Sequence, residues 1–279
     1  MPTSAKMPTK KNVSIIAQAK GLVRLTLFGL ISLGVLLIQP LFLIFKNQKI
    51  VCLIPQYWHW LVCKIFGIQV IIKGQPQKTQ GTFFVGNHLS YFDIPVIGAN
   101  LKGYFIAKKE VETWPLFGIL SKLQKTVFIL RSSSGIAEAG NHISKHLLNG
   151  NNLVIFPEGT SSDGTDVLPF RSSLFNFLTT DLYRDTVTIQ PFTLRLVEIN
   201  GREPVTQDNR DLYAWYGEME LPPHLWAFAC SKGACLELCF HDSFKIDNSD
   251  TRKTLSLKSY TFVRNGLTYN YDRFEQDRS

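Results

Sequence analysis

His88 and Asp93 stand five positions apart in Gly86-Asn87-His88-Leu89-Ser90-Tyr91-Phe92-Asp93, directly after the strand-like run Thr82–Val85. An imidazole beside a carboxylate is a general base with its orienter. The carboxylate holds one ring nitrogen, fixes the tautomer and stabilises the imidazolium, while the other nitrogen takes a proton from an alcohol. On a regular helix five residues turn the chain by about 500°, which sends the two side chains to different faces. They meet only when His88 lies on the loop and Asp93 opens the next helix. Each alone has a plainer use, a structural histidine and a helix cap.

A second set of chemically capable residues follows. Phe156-Pro157-Glu158-Gly159-Thr160 places a carboxylate and a glycine just after another strand-like run. Taken singly, Pro-Glu-Gly is an ordinary turn. Lys108, Lys109, Arg131 and Arg171 supply cations that could neutralise an anionic group, Arg by a two-pronged fork and Lys as a point charge. No serine sits in a Gly-x-Ser-x-Gly elbow. His142 and His146 are spaced like helical zinc ligands, but Ile143 stands where a zinc protease carries Glu, so both read as exposed helix residues. The five cysteines are an odd set without disulfide-framework spacing. Cys235 and Cys239, with Glu237 and His241, read as small thiols of a half-buried strand rather than a metal site.

The elements that must position these groups alternate. Strands are expected at 68–72, 82–85, 104–107, 127–130, 153–156, 187–193 and 234–240, and helices near 92–100, 114–123, 134–149 and 171–180. In the 134–149 helix Ser133 or Ser134 caps the start, Ile136, Ile143 and Leu147 form an apolar stripe, and Gly150 ends it. This alternation predicts an α/β domain over 68–279. The polar stretch from Arg252 to Ser279 has no functional reading.

Residues 1–67 read differently. A basic start (Lys6, Lys10, Lys11, Lys20, Arg24) precedes Leu25–Phe45, which carries no charge and is long enough to cross a hydrocarbon core. It is too long for a signal peptide and lacks a small-residue cleavage site. Lys46 and Lys49 follow it, so charge bias does not orient it. Ile50–Ile68, with Tyr57, Trp58, His59, Trp60 and Lys64, suits the membrane interface. A helical hairpin or a re-entrant pair keeps both ends on one side, and the re-entrant pair is the expectation. The formal charge of +8 suits anionic lipids or phosphorylated substrates. Nucleic acid is the weakest partner, since no zinc-finger or RNA-binding signature is present.

The ordered blocks together resemble the glycerolipid acyltransferases, which include 1-acylglycerol-3-phosphate (lysophosphatidic acid) acyltransferases. His88…Asp93 matches the H-x-x-x-x-D signature. Phe105–Glu110 with Trp114–Gly118 and Val127–Arg131 is similar to the second block, Phe156–Thr160 to the third and Ile189–Phe192 to the fourth. The resemblance implies a mixed sheet flanked by helices, His88 as base with Asp93 as partner, and substrate contacts from Lys108, Lys109, Arg131, Glu158, Gly159, Thr160 and Arg171. It implies acyl transfer without metal or cofactor from acyl-CoA or acyl-carrier protein to a lysolipid hydroxyl, first of all 1-acylglycerol-3-phosphate. The implied site is the cytoplasmic face of a membrane, the inner one in a bacterium. One departure stands out: the family often carries arginine after the threonine, and here Ser161 follows Thr160. Tyr213–Gly217 and Pro223–Trp226 are similar to the lyso-ornithine lipid acyltransferase subgroup, the alternative acceptor. A lipid hydrolase using a serine such as Ser161, or a non-catalytic lipid-binding protein, are the readings of another class.

Overall fold

The computed structural model describes residues 14–45, 47–79, 81–130, 133–180, 183 and 186–268, with the side chains of 133–139 not among them. Arg131, Lys6, Lys10, Lys11, Lys46, the Ser133 and Ser134 cap, the Ile136 side chain and the tail from 269 lie outside the described residues.

Among the described residues eight strands form one sheet: β1 (Ile68–Lys73), β2 (Thr82–Gly86), β3 (Tyr104–Lys108), β4 (Val127–Ile129), β5 (Leu153–Ile155), β6 (Thr188–Ile199), β7 (Ala234–Phe240) and β8 (Phe244–Lys245). Their order is β1-β7-β6-β2-β5-β3-β4, with β8 beside β6. The run from β6 to β4 is parallel, whereas β7 pairs antiparallel with β6 and in parallel with β1. Parallel neighbours need crossovers. The helices that make or flank them are α1 (Ile15–Phe42), α2 (Gln48–Val51), α3 (Leu53–Phe66), α4 (Asp93–Asn100), α5 (Phe117–Leu123), α6 (Ser133–Leu148), α7 (Gln207–Arg210), α8 (Leu221–Cys230) and α9 (Arg252–Thr268). Among the described residues, 3₁₀ turns cover Lys109–Thr113 and Ser172–Thr179.

Every residue of β2 and β7 is buried, as apolar strands covered on both faces must be. Alternation divides β2 and β5 between two cores. Phe84 and Val154 face a cluster with Phe28 of α1, Trp58 and Phe66 of α3 and Phe228 of α8. Phe83, Val85, Leu153 and Ile155 face the other, with Ile143 and Leu147 of α6, Phe175 and Leu255 of α9. The α1/α3 pair therefore covers one side of the sheet and α9 the other.

All seven expected strands form. The 171–180 segment is a 3₁₀ run rather than an α-helix, and the 114–123 helix starts at Phe117, after Leu116 takes φ +61°. Helix α1 starts at Ile15, with Ser14 Oγ accepting from Ala17 N at 3.3 Å, so Lys20 and Arg24 lie inside it. Helix α9 went unread in the sequence for a packing reason. Its buried positions are Leu255, Ser256, Ser259, Val263 and Gly266, where only Leu255 and Val263 are apolar side chains and the three small residues between and after them permit close approach without making an apolar stripe.

Candidate active site

His88 and Asp93, the candidate base and its orienter, sit where β2 leaves the sheet. Asn87 prolongs the ladder with its side chain: Nδ2 donates to Leu194 O at 2.8 Å, and Leu194 N donates to Asn87 Oδ1 at 2.7 Å. This frees the main chain to turn, and Asp93 begins α4. His88 Nδ1 meets Asp93 Oδ2 at 2.8 Å. The same oxygen accepts from Leu89 N at 2.6 Å and Ser90 N at 3.0 Å, and Oδ1 accepts from Tyr213 OH at 3.0 Å. Asp93 is fully buried, and four donors with no competing acceptor suit a carboxylate. Nδ1 is thereby the protonated ring nitrogen. Nε2, the ring nitrogen left free to accept, has no hydrogen-bond partner among the described residues. The ring stacks flat on Phe156, with centroids 4.2 Å apart, and lines the main cavity.

Glu158 holds the backbone of this loop. Its Oε1 accepts from His88 N at 2.9 Å and its Oε2 from Leu168 N at 3.1 Å. Burial pushes its carboxyl up to about 8, against the pull of these two donors, and Asp93 and Asp166 add to the rise. With both oxygens on backbone amides, Glu158 shapes the His88 loop here rather than presenting a free acceptor to substrate. Gly159 takes φ +70°, and a Cβ there would meet Arg171 Nε at 2.7 Å. The positive φ favours glycine, and any Cβ would push the Arg171 side chain from its present place.

The main cavity, about 340 Å³, is lined by His88, Tyr91 and Trp215 and reaches Trp58 of α3 and Phe28 and Val35 of α1. Its walls are chiefly aromatic and aliphatic, the lining of a site for an apolar ligand. A side pocket of about 120 Å³ shares Lys108, Phe156 and Gly159 with it and adds Arg171, Ser173 and Leu174. The structure therefore brings Lys108, Gly159, Thr160 and Arg171 to the cavities around His88. Lys109 is turned away, paired with Glu112, which also takes Lys122 at 3.3 Å. Arg131 lies outside the described residues.

Sequence reasoning missed the wall opposite Lys108. Tyr213 completes the bonds to Asp93. Trp215 N donates to Leu89 O at 2.9 Å, and the Ser161 hydroxyl donates to Trp215 O. His224 Nε2 donates to Asp211 O and Ala214 O, both at 3.1 Å, so its Nδ1 accepts from Tyr91 OH at 2.9 Å. The Tyr213–Gly217 and Pro223–Trp226 resemblance was the available signal, but spacing alone could not say that it touches the His88 loop. Ser161 points its hydroxyl at a carbonyl and makes no hydrogen bond to His88, so this geometry does not present Ser161 as a nucleophile activated by His88.

His142 is exposed as expected, whereas His146 is half-buried with its ring 5.1 Å from Tyr104. All five cysteines are free and buried, more deeply than the half-buried strand thiols expected for Cys235 and Cys239, because both faces of β7 are covered.

Comparison with known proteins bears on the family to which the chain belongs. Residues 67–195 match the family model named Acyltransferase. The chain is 33% identical to the lyso-ornithine lipid O-acyltransferase of Brucella abortus, over 84% of this chain and 88% of that one. It is 30% identical to the same-named protein of Rhizobium meliloti, over 73% and 70%. With the 1-acyl-sn-glycerol-3-phosphate acyltransferase of Neisseria gonorrhoeae it shares 29% identity, over 68% and 70%. In fold it is similar to the crystal structure of the 1-acyl-sn-glycerophosphate (LPA) acyltransferase PlsC from Thermotoga maritima, at a TM-score of 0.61 and 18% identity over 90% and 93%. On these relationships, and with the His–Asp loop, the sheet and the apolar cavity in place, the chain belongs to the acyltransferase family, among its lysolipid O-acyltransferases.

Proposed function

We propose that this membrane-associated enzyme transfers an acyl chain from a thioester, acyl-CoA or acyl-carrier protein, to the hydroxyl of a lyso-ornithine lipid. The acceptor oxygen attacks the thioester carbonyl as His88 Nε2 takes its proton, and Asp93 stabilises the imidazolium. The C–S bond then breaks, and the departing thiolate, with a thiol pKa of about 8.5, recovers the proton from His88. Ester and free thiol are the products, and the proposed step calls on neither metal nor cofactor. The acyl chain occupies the main cavity. Lys108 and Arg171 meet the headgroup anion at the side pocket. The catalytic face is cytoplasmic, where the soluble donors are.

The observation that carries the acceptor is the Ser161 hydroxyl closed onto the Trp215 carbonyl, at the position where the family resemblance implies an arginine. Asp163, two residues on, lies near enough to Asp211 and Tyr216 to add to the rise in both their pKa values, which burial dominates. Two acidic side chains, Asp163 and Asp211, thus stand close to this segment, which disfavours a phosphate dianion there and favours the ammonium of a zwitterionic ornithine headgroup. Lys108 and Arg171 are the observation favouring the second reading, 1-acylglycerol-3-phosphate, which the sequence placed first.

The test is acyl transfer by the full chain in mixed micelles, with a labelled thioester and each lysolipid, beside His88→Ala. Transfer to lyso-ornithine lipid that exceeds transfer to lysophosphatidic acid and vanishes in His88→Ala supports the reading. Ser161→Arg then shifts the preference toward the phosphate acceptor. A wild-type preference for lysophosphatidic acid overturns the acceptor, and transfer surviving in His88→Ala overturns the base.

A further inference from the structure

Helix α9 lies outside the 67–195 family region, yet it grips the loop that follows the Pro-Glu-Gly block. Arg264 forks onto Asp166, with Nε to Oδ1 and Nη2 to Oδ2 both at 2.9 Å. Ser256 Oγ donates to Phe170 O at 3.2 Å, Tyr260 OH donates to Val167 O at 3.5 Å, and the Tyr260 ring meets Phe170 edge-on. Between these anchor points Leu168 N reaches Glu158, whose other oxygen holds His88 N. Just past them Arg171 N donates to Pro157 O at 2.9 Å, and its side chain enters the side pocket.

The Arg264–Asp166 pair is about half exposed on both sides, so it adds little to global stability. A two-pronged fork instead fixes orientation. The loop has no regular structure between Thr160 and Arg171, so its shape depends on such side-chain ties. The helix itself is seated closely, since a Cβ on Gly266 would lie 2.2 Å from Thr193 Oγ1.

We propose that Arg264 is a positioning residue for the acceptor: through Asp166 it holds the 166–171 loop so that Arg171 faces the side pocket. This rests on the reading of Arg171 as a contact to the acceptor's anionic headgroup.

The experiment measures initial rates on the full-length enzyme against varied acceptor and varied thioester for Arg264→Gln, Asp166→Asn, the exchanged pair Arg264→Asp with Asp166→Arg, and Arg171→Gln. Loss of the fork raises the acceptor KM about fivefold, equivalent to about 1 kcal/mol, with kcat and thioester KM unchanged. The exchanged pair recovers most of the loss, which a role in overall folding does not predict. Unchanged acceptor KM in Arg264→Gln overturns the proposal, as does a loss of kcat that tracks a lowered melting temperature. If Arg171→Gln raises the acceptor KM while Arg264→Gln does not, the proposal falls and the headgroup reading stands. If neither does, both fall.

Discussion

Four hydrogen bonds converge on Asp93, and the one from Tyr213 arrives from a residue 120 positions away. Tyr213→Phe leaves Asp93 Oδ1 buried without its donor and loosens the carboxylate that orients His88. A hydrogen bond to such a group contributes about 1.5 kcal/mol, so kcat should fall about tenfold with little change in either KM. An unchanged kcat would show that the three remaining bonds suffice. Glu158 makes a prediction in pH. Its pKa rises from 4.5 to about 8 on folding, so the fold binds its proton more tightly than the unfolded chain. Stability from this group is fully present below 4.5 and is lost as pH rises through about 8. Glu158→Gln removes that slope. Its melting temperature relative to wild type should climb between pH 4.5 and 8, whatever offset the altered bonding to Leu168 introduces. A constant difference across that window would mean Glu158 titrates near its ordinary value.

At the scale of elements, the site is an arrangement of strand ends and two helical walls. β2 delivers His88, β5 delivers Glu158 and β3 delivers Lys108 at the carboxyl edge of the parallel strands, where open α/β sheets place their ligands. Helix α1 closes the cavity from the far side because three polar ties seat it against the domain. Arg24 Nη1 donates to Ala229 O and Ser231 O at 3.1 and 2.9 Å, and Trp58 Nε1 donates to Ser32 Oγ at 3.1 Å. Gln39 Nε2 donates to Val51 O and Leu123 O at 3.0 and 3.1 Å. Val35 lies between the last two ties and lines the cavity. Val35→Phe should fill that end and shift the preferred thioester toward shorter chains in a chain-length series. An unaltered series would place the acyl chain elsewhere.

The whole molecule has two unlike sides. On the α1/α3 side Leu22, Leu30, Leu33, Leu37 and Leu41 of α1 and Tyr57 and Trp60 of α3 are exposed, a surface for lipid. At about 1.5 Å per residue the 28-residue α1 is long enough to cross a bilayer. Its ties at Arg24, Ser32 and Gln39 instead run along the protein, which favours a helix pair lying in one leaflet. Stability of the domain as a whole should fail in acid. Burial holds His224 and His241 near 4, below their ordinary 6.5, so both are neutral in the fold and protonate more readily once unfolded. Stability they contribute is present above 6.5 and lost as pH falls toward 4. Melting temperatures of His241→Asn and wild type should converge across that interval, and parallel curves would count against buried neutral His241.

Local chemistry was legible in the sequence wherever partners are close along the chain. His88 and Asp93 are five residues apart, a loop followed by a helix start brings them together, and the strand runs announced themselves by composition. The charge-free stretch of α1 needed only counting. What no spacing could supply were contacts made across the fold. Tyr213 on Asp93, the Trp215 carbonyl on Ser161, Glu158 on the His88 backbone and α9 on the 166–171 loop join segments separated by 54 to 120 residues. Lys109, adjacent to Lys108, went to Glu112 because the 3₁₀ turn after β3 sends successive side chains in different directions. Residue types thus determined which reaction the chain is equipped for. The packing of distant segments decided what surrounds His88, from the Tyr213 hydroxyl on Asp93 to the Trp215 carbonyl on Ser161, because such tertiary contacts leave no period in the sequence.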